Sequence, residues 1–266
     1  MNTPTCPACA GSAVEATRFD GIYRCRQHGA LEWFDRGRLA DVDLLAIYQS
    51  YPYNASLQKD FHAMRALYQR GLRRRIRRYF PAMENLSFLD VGCANGEYLE
   101  CAREAGMTPV AGVEVDAEAA RKAARFGAVH RDMRELGAAF DVVQCKNVLS
   151  NIEDFPDFLA QLLRLTRPGG ILFLDVLNQF GMVARAKKML GRPGILRPPC
   201  VINGFSKPAL RALVEKHGAT VRWLGTTYCG SDLLPYRRSI GLSLRGRLSQ
   251  LLGQATMIVA DVSPAS

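Results

Sequence analysis

The sequence predicts an α/β protein, a mostly parallel sheet flanked by helices, with a small cysteine-bearing module and a helical segment ahead of it. Three observations predict this class. Between residues 86 and 178, short apolar runs alternate with helix-length periodic segments, and a parallel strand pair needs such a crossover to return the chain. A glycine-bearing turn, Gly92-Cys93-Ala94-Asn95-Gly96, joins the first apolar run to the first helix of that series. The chain has 266 residues, is 48% hydrophobic and 23% charged, and has a mean hydropathy of −0.06. It can therefore bury a core, and the composition excludes disordered, collagen-like and mini-protein classes.

The first element is Cys6-Pro7-Ala8-Cys9, followed after fifteen residues by Cys25-Arg26-Gln27-His28. Two short ligand pairs on tight turns, separated by a hairpin-length spacer, suit a tetrahedral Zn²⁺ site, because thiolate and imidazole are both zinc ligands. Four protein ligands close such a site, so the expected role of Cys6, Cys9, Cys25 and His28 is structural. Residues 1–40 are read as this zinc-ribbon-like module. Residues 41–85 follow as a helical segment broken at Tyr51-Pro52-Tyr53-Asn54, and its second helix carries Arg70, Arg73, Arg74, Arg75, Arg77 and Arg78. Such a run reads as a solvated helix face, with phosphate contact as the alternative.

From residue 86 the expected strands are Leu86–Val91, Val110–Val115, Asp141–Cys145 and Ile171–Val176, and the expected helices are Glu97–Ala105, Ala117–Phe126 and Asp157–Leu165. A basic amphipathic helix and a Gly/Pro-rich loop interrupt the series at about 179–204. A helix at Lys207–His217 and apolar runs at Ala219–Leu224 and Ala255–Val262 complete the sheet. Residues 86–266 are thus one domain carrying a basic insertion.

The formal charge of +10 is unevenly spread. Residues 1–85 hold 13 Lys+Arg against 8 Asp+Glu, residues 86–178 hold 9 against 14, and residues 179–266 hold 13 against 3. The surplus therefore lies in the last third, which points to an anionic partner there rather than to a uniformly basic fold. No run of about 18 uncharged apolar residues occurs, and the N-terminus lacks the pattern of a secretory signal. No transmembrane segment is expected, and the expected location is cytoplasmic. Cysteines diluted through a long chain read as reduced thiols or metal ligands.

The chemistry is concentrated in a series of short motifs: Asp90-Val91-Gly92-Cys93-Ala94-Asn95-Gly96, Gly112-Val113-Glu114-Val115-Asp116, His130-Arg131-Asp132-Met133, Phe140-Asp141-Val142-Val143 and Arg167-Pro168-Gly169-Gly170. A strand that ends in a glycine turn lets backbone approach a ligand closely, and an acid ending the next strand suits a ribose. The glycines read GxAxG rather than GxGxxG and a third acid follows, which opposes a nicotinamide dinucleotide. In order and spacing the series resembles the class I S-adenosylmethionine-dependent methyltransferases, over roughly residues 86–262. With the Cys/His module and the segment Phe205–Val221, it further resembles a subgroup bearing an N-terminal zinc ribbon.

The resemblance implies a Rossmann-like seven-stranded sheet and S-adenosyl-L-methionine as cofactor. Asp90 and the loop of Gly92, Cys93, Ala94 and Gly96 would surround the methionine moiety, and Glu114 would hold the ribose hydroxyls. Val115 would pack on the adenine ring, with Asp132 and Met133 at its amino group. Lys146 and Asn147 follow the fourth strand, where methyl group and acceptor meet. The family more often has glycine where Ala94 stands; a methyl group there is tolerable if φ is negative. Tyr51, Tyr53, His62, Leu149 and Asn151 are the candidate acceptor contacts. A Glu-His pair often carried by related enzymes falls here on Ser150 and Asn151, and a further family histidine maps near Val201, so no catalytic base is assigned. The expected function is methyl transfer to a small or carrier-linked, anionic acceptor, with peripheral membrane contact as one form of it. The alternatives are an RNA methyltransferase of the zinc-bearing ribosomal type, with the arginine run on phosphate, and a methyltransferase-like binding protein that has lost its base.

Overall fold

A computed structural model describes residues 5–27, 30–43, 46–47, 65–66, 68–227 and 257–265. Its centre is strand β4 (Phe88–Val91), with β5 (Val110–Val113) parallel on one side and β7 (Phe140–Lys146) parallel on the other. Strand β6 (Ala128–His130) extends the first side, and β8 (Thr166–Leu177) the second. Antiparallel β11 (Met257–Ser263) and β10 (Thr220–Thr227) finish the sheet, whose order is β10-β11-β8-β7-β4-β5-β6. The chain moves outward from β4 to β6 and then returns to β7. The strand order therefore reverses between β4 and β7, and the crevice at their carboxyl ends is where such sheets take ligands.

Each side of the sheet has its own core, as the two-residue period of strands requires. Leu89, Val143, Leu172 and Leu174 pack with Phe155, Leu159 and Leu162 of one helix (Phe155–Arg164) and with Leu210 and Leu213 of another (Lys207–Lys216). On the opposite face Phe88, Val142, Ile171 and Phe173 meet Leu72 and Ile76 of the helix over 68–76, here α1, and Leu99 and Ala102 of α2 (Glu97–Glu104). In chain order, Ala117–Ala123 is α3, Phe155–Arg164 is α4, Met182–Met189 is α5 and Lys207–Lys216 is α6. The expected first strand loses Leu86 and Ser87, because the Ser87 amide and hydroxyl both donate to Asp141 Oδ2, at 2.8 and 2.7 Å.

Strands β1 (Val14–Ala16), β2 (Ile22–Cys25) and β3 (Leu31–Phe34) form the N-terminal sheet. A fourth strand joins it from 170 residues away. Within the basic insertion, β9 (Asn203–Phe205) runs antiparallel to β3, pairing Leu31 with Phe205 and Trp33 with Asn203. No periodicity in a three-residue strand announces this pairing. Cys6, Cys25, Leu31 and Trp33 consequently share a core with β4, β7 and β8. Glu32, also on β3, is buried and receives Lys188 Nζ at 2.8 Å, Arg24 Nη2 at 2.5 Å and Gln179 Nε2 at 2.7 Å, so the insertion helix α5 is clamped to the N-terminal sheet.

Candidate active site

The turn after β4 is built for close approach. Gly92 has φ 78° and Gly96 has φ 88°. A Cβ on Gly92 would lie 2.3 Å from Val148 Cγ2, and one on Gly96 would lie 2.9 Å from Ala123 Cα. Ala94 also has a positive φ, 49°. The condition under which a methyl group is readily tolerated there is not met: the backbone keeps the left-handed conformation suited to glycine and places an alanine in it, at some conformational cost.

The cause is visible in the partner of that residue. The Ala94 amide donates to Glu114 Oε2 at 2.9 Å, while the Asp116 amide donates to Glu114 Oε1 at 2.9 Å. One carboxylate, just beyond the end of β5, thereby ties the glycine turn to the start of α3. Asp116 itself caps that helix by accepting from Ala119 N at 2.7 Å. Beside it Val115 is 54% exposed, an unusual situation for a branched apolar side chain next to a crevice. Asp132 lies two residues beyond β6 and accepts the Arg134 amide at 2.8 Å and its guanidinium Nε at 3.0 Å. The Arg134 side chain holds its carboxyl down at about 2. Met133 is buried in the core at this edge.

Under the turn, Asp90 is buried and accepts from Gln144 Nε2 at 3.1 Å across the β4–β7 pair. Burial pushes the Asp90 carboxyl up to about 7, against the opposing effects of Gln144 and Lys146. Lys146 Nζ lies 2.5 Å from the Tyr98 hydroxyl and 4.8 Å from that ring's centroid, and Tyr68 meets Tyr98 edge to face at 5.3 Å. Asn147, with φ 61°, donates its amide to the Asp175 carbonyl at 3.0 Å and accepts Asn151 Nδ2 on its own carbonyl at 3.0 Å. Its Oδ1 is buried without a hydrogen-bond partner, as a group aimed at a ligand would be.

The structure thus brings Asp90, Gly92, Cys93, Ala94, Gly96, Glu114, Val115, Lys146 and Asn147 to the carboxyl ends of β4, β5 and β7. Leu149, expected at the acceptor, is fully buried in the core instead, because the short helical turn Leu149–Asn151 points it inward. Ser150 is buried too, its Oγ accepting from Leu177 N at 3.2 Å. Tyr51, Tyr53, His62 and His28 lie outside the described residues. Sequence reasoning missed Tyr68 and Tyr98, whose helical spacing signals only packing, and it missed the fate of the arginine run. Arg75 is buried beneath α1, 2.9 Å from Asp175 and 2.7 Å from Asp261, with its guanidinium 4.2 Å from the Phe173 ring centroid. Arg78 reaches Asp261 at 3.3 Å and stacks 4.8 Å from the Trp223 centroid. Arg75 therefore belongs to neither a solvated nor a phosphate-binding face, while Arg78, its side chain 37% exposed, is turned toward Asp261 and Trp223.

At the N-terminal module, the sulfurs of Cys6, Cys9 and Cys25 lie within 4.8 Å of one another. Cys9 Sγ is 3.8 Å from Cys25 Sγ, and the Gly11 amide points at Cys9 Sγ from 3.4 Å. Three soft donors converging from the turn before β1 and the end of β2 fit a zinc ion. Cys93, Cys101 and Cys145 are buried among apolar side chains.

Residues 64–223 match the family model described as a methyltransferase domain. A ubiquinone biosynthesis O-methyltransferase of Brucella ovis is 27% identical over 170 residues, covering 55% of this chain and 68% of that protein. One of the same name from Mesorhizobium japonicum is 29% identical over 124 residues, covering 43% and 49%. Among solved structures, an S-adenosylmethionine-dependent methyltransferase from Clostridium acetobutylicum has a TM-score of 0.56 at 10% identity, over 81% of this chain and 100% of that one. The plantazolicin methyltransferase in complex with SAH has a TM-score of 0.54 at 16% identity, over 84% and 94%. With the glycine turn, the Glu114 bridge and the sheet order already in place, the family match settles the class: the chain belongs to the methyltransferase domain family and is an S-adenosylmethionine-dependent methyltransferase.

Proposed function

We propose that this enzyme methylates an oxygen of a small or carrier-linked, anionic acceptor, at the carboxyl end of β7. The observation that carries the cofactor half of the reading is Glu114, held by two backbone amides with its carboxylate at the rim of the Gly92–Gly96 turn. In this reading Glu114 accepts the ribose hydroxyls and the turn surrounds the methionine moiety beside Asp90. Val115 covers one face of the adenine, with Asp132 and Met133 at its amino group. When bound, S-adenosyl-L-methionine supplies the sulfonium methyl. Lys146 and Asn147 stand where β7 ends, and the free Asn147 oxygen gives them a polar group to present there.

The displacement itself is in line and gains mostly from orientation, so the chain's task is to align and to exclude water. A base is needed only where the acceptor must shed a proton. Ser150 is buried in a hydrogen bond to Leu177, and Asn151 is spent on the Asn147 carbonyl. Of the described histidines, His130 faces Glu135 and His217 faces the Leu213 carbonyl. Among the described residues, these four leave no group placed as a base, and an acceptor hydroxyl acidic enough to ionise by itself fits that arrangement. The names of the relatives from Brucella and Mesorhizobium support oxygen as the acceptor atom.

In the N-terminal module we assign Cys6, Cys9, Cys25 and His28 to a structural zinc ion. Its chemistry would be to fix two turns, and it would take no part in methyl transfer. The burial of Arg75 and the stacking of Arg78 on Trp223 engage two of the six arginines within the fold, which weakens the support for RNA as acceptor. Calorimetry with S-adenosylhomocysteine tests the cofactor half: the wild-type chain is expected to bind, and Glu114→Ala to lose at least roughly tenfold in affinity through the lost charged hydrogen bonds. A silent wild-type titration would overturn it. Methyl transfer to a panel of phenolic and aliphatic hydroxyl acceptors tests the acceptor half, and activity confined to amines would overturn that.

A further inference from the structure

The insertion helix α5 has two faces of opposite character. Its inner side is fixed: Ala184 is fully buried, and Lys188 Nζ reaches both oxygens of buried Glu32 at 2.8 and 2.9 Å while lying 4.9 Å from the Phe180 ring centroid. This clamp determines what points outward. Met182, Arg185, Ala186 and Met189 are exposed at the i, i+3, i+4, i+7 spacing of one helical face, and exposed Leu190 and Arg192 continue it past the helix end. Met189 is 85% exposed, Leu190 79% and Met182 52%. Three large apolar side chains clustered on a soluble surface call for an explanation in a way that single ones do not.

The charge around them limits the partner. Residues 179–204 contain Arg185, Lys187, Lys188, Arg192 and Arg197 and no Asp or Glu. Unbranched and branched apolar side chains interleaved with cations on one short helical face have the chemistry of an interfacial helix. The apolar groups enter the acyl boundary and the long cations reach lipid phosphates. Methionine and leucine offer no π-face on which a nucleic-acid base could stack.

We propose that the outward face of α5, with Leu190 and Arg192, docks this enzyme on an anionic lipid surface. The position of the helix gives the docking a purpose. Strand β8 ends at Leu177 at the same edge of the sheet as Asn147, whose amide is bonded to Asp175 of β8, and α5 begins five residues later. A membrane seated on α5 would therefore lie on the acceptor side of the fold. This deepens the reading of a carrier-linked acceptor and rests on it for its purpose, whereas the docking itself is measured without any acceptor.

The test is co-sedimentation of the full chain with vesicles of phosphatidylcholine alone or mixed with phosphatidylglycerol. The wild-type chain is expected to sediment with the mixed vesicles, to be released by salt, and to remain free with phosphatidylcholine. Met189→Ser with Leu190→Ser, and separately Arg185→Gln with Arg192→Gln, should each weaken the association roughly tenfold or more. Their melting temperature and S-adenosylhomocysteine binding should be unchanged. Failure of the wild-type chain to sediment, or equal sedimentation of both double variants, overturns the proposal. So does binding to polyuridylate without binding to vesicles, which would assign the patch to nucleic acid. A chain that binds vesicles but methylates only soluble acceptors would leave the docking standing and overturn the carrier-linked reading; the converse result would overturn the docking alone.

Discussion

Arg75 Nη1 and Asp175 Oδ1 lie 2.9 Å apart with both side chains only 5% exposed, joining α1 to β8 across a hundred residues of sequence. The same guanidinium reaches Asp261 on β11 at 2.7 Å and the Ala260 carbonyl at 3.0 Å. Two buried carboxylates thus share one buried cation, and Asp261 also receives Arg78 Nη1 at 3.3 Å and the Tyr79 hydroxyl at 2.7 Å. Removing it leaves both without their main charge partner inside the fold, a loss that costs about 3–5 kcal/mol where a buried pair is broken from one side. Arg75→Ala should lower the urea unfolding free energy by that order, whereas Arg74→Ala, at an exposed position one residue away, should stay within about 0.5 kcal/mol. Equal effects from the two would contradict the network.

Ala94 holds φ 49° while its amide serves Glu114. The left-handed conformation costs an L-residue about 1–2 kcal/mol, and glycine returns part of that gain through its larger unfolded-state entropy. Ala94→Gly should therefore stabilise the fold by about 0.5–1 kcal/mol, read by thermal denaturation, with S-adenosylhomocysteine affinity maintained. Ala94→Val, branched at a positive φ, should lose both stability and affinity. A glycine variant that melts lower would show that the turn is not strained.

Asp90 gives a pH dependence whose sign is fixed by its burial. Its carboxyl is raised to about 7, above the unfolded value near 3.9, so between those two values the folded chain binds more protons than the unfolded one. Stability from this group is present in full below about pH 4 and is lost progressively as pH rises toward 7. Asp90→Asn removes the titration while keeping an oxygen for Gln144 Nε2. The unfolding free energy of the wild type minus that of Asp90→Asn should fall by a few kcal/mol between pH 4.5 and 8. A flat difference would mean that Asp90 stays ionised in the fold.

The sheet was legible because its signals are local. Each of β4, β5, β7 and β8 is an apolar run, and each is separated from the next by a glycine turn or a helix period. The candidate site's edge was legible for the same reason, since Gly92, Glu114 and Asp132 follow successive strands. What the sequence did not disclose depends on contacts distant along the chain. Arg75 sits in a run of six arginines and only the fold distinguishes it, by bringing Asp175 and Asp261 under α1. Asn203–Phe205 is too short to show a period, and its strand character comes from pairing with β3. Leu149 follows a strand end as an acceptor contact would, but the helical turn at Leu149–Asn151 directs it into the core.

The three sulfurs of Cys6, Cys9 and Cys25 share one small volume, and two of those cysteines are buried in the core that contains Trp33 and Leu31. A metal there would fix the turn before β1 and the end of β2, and through β3 it would reach β9 and the insertion. Elemental analysis of the purified chain is expected to find one zinc per molecule, lost in Cys6→Ser and Cys25→Ser and weakened in His28→Ala. Structural zinc sites contribute to folding directly, so a strong chelator should lower the melting temperature of the wild type and leave that of Cys6→Ser unchanged. S-adenosylhomocysteine binding should survive chelation, because Glu114 and the Gly92–Gly96 turn are held by β4, β5 and α3, none of which contains a ligand cysteine. Cofactor affinity that vanished with the metal would place zinc in support of the cofactor edge and overturn its assignment as a local structural ion.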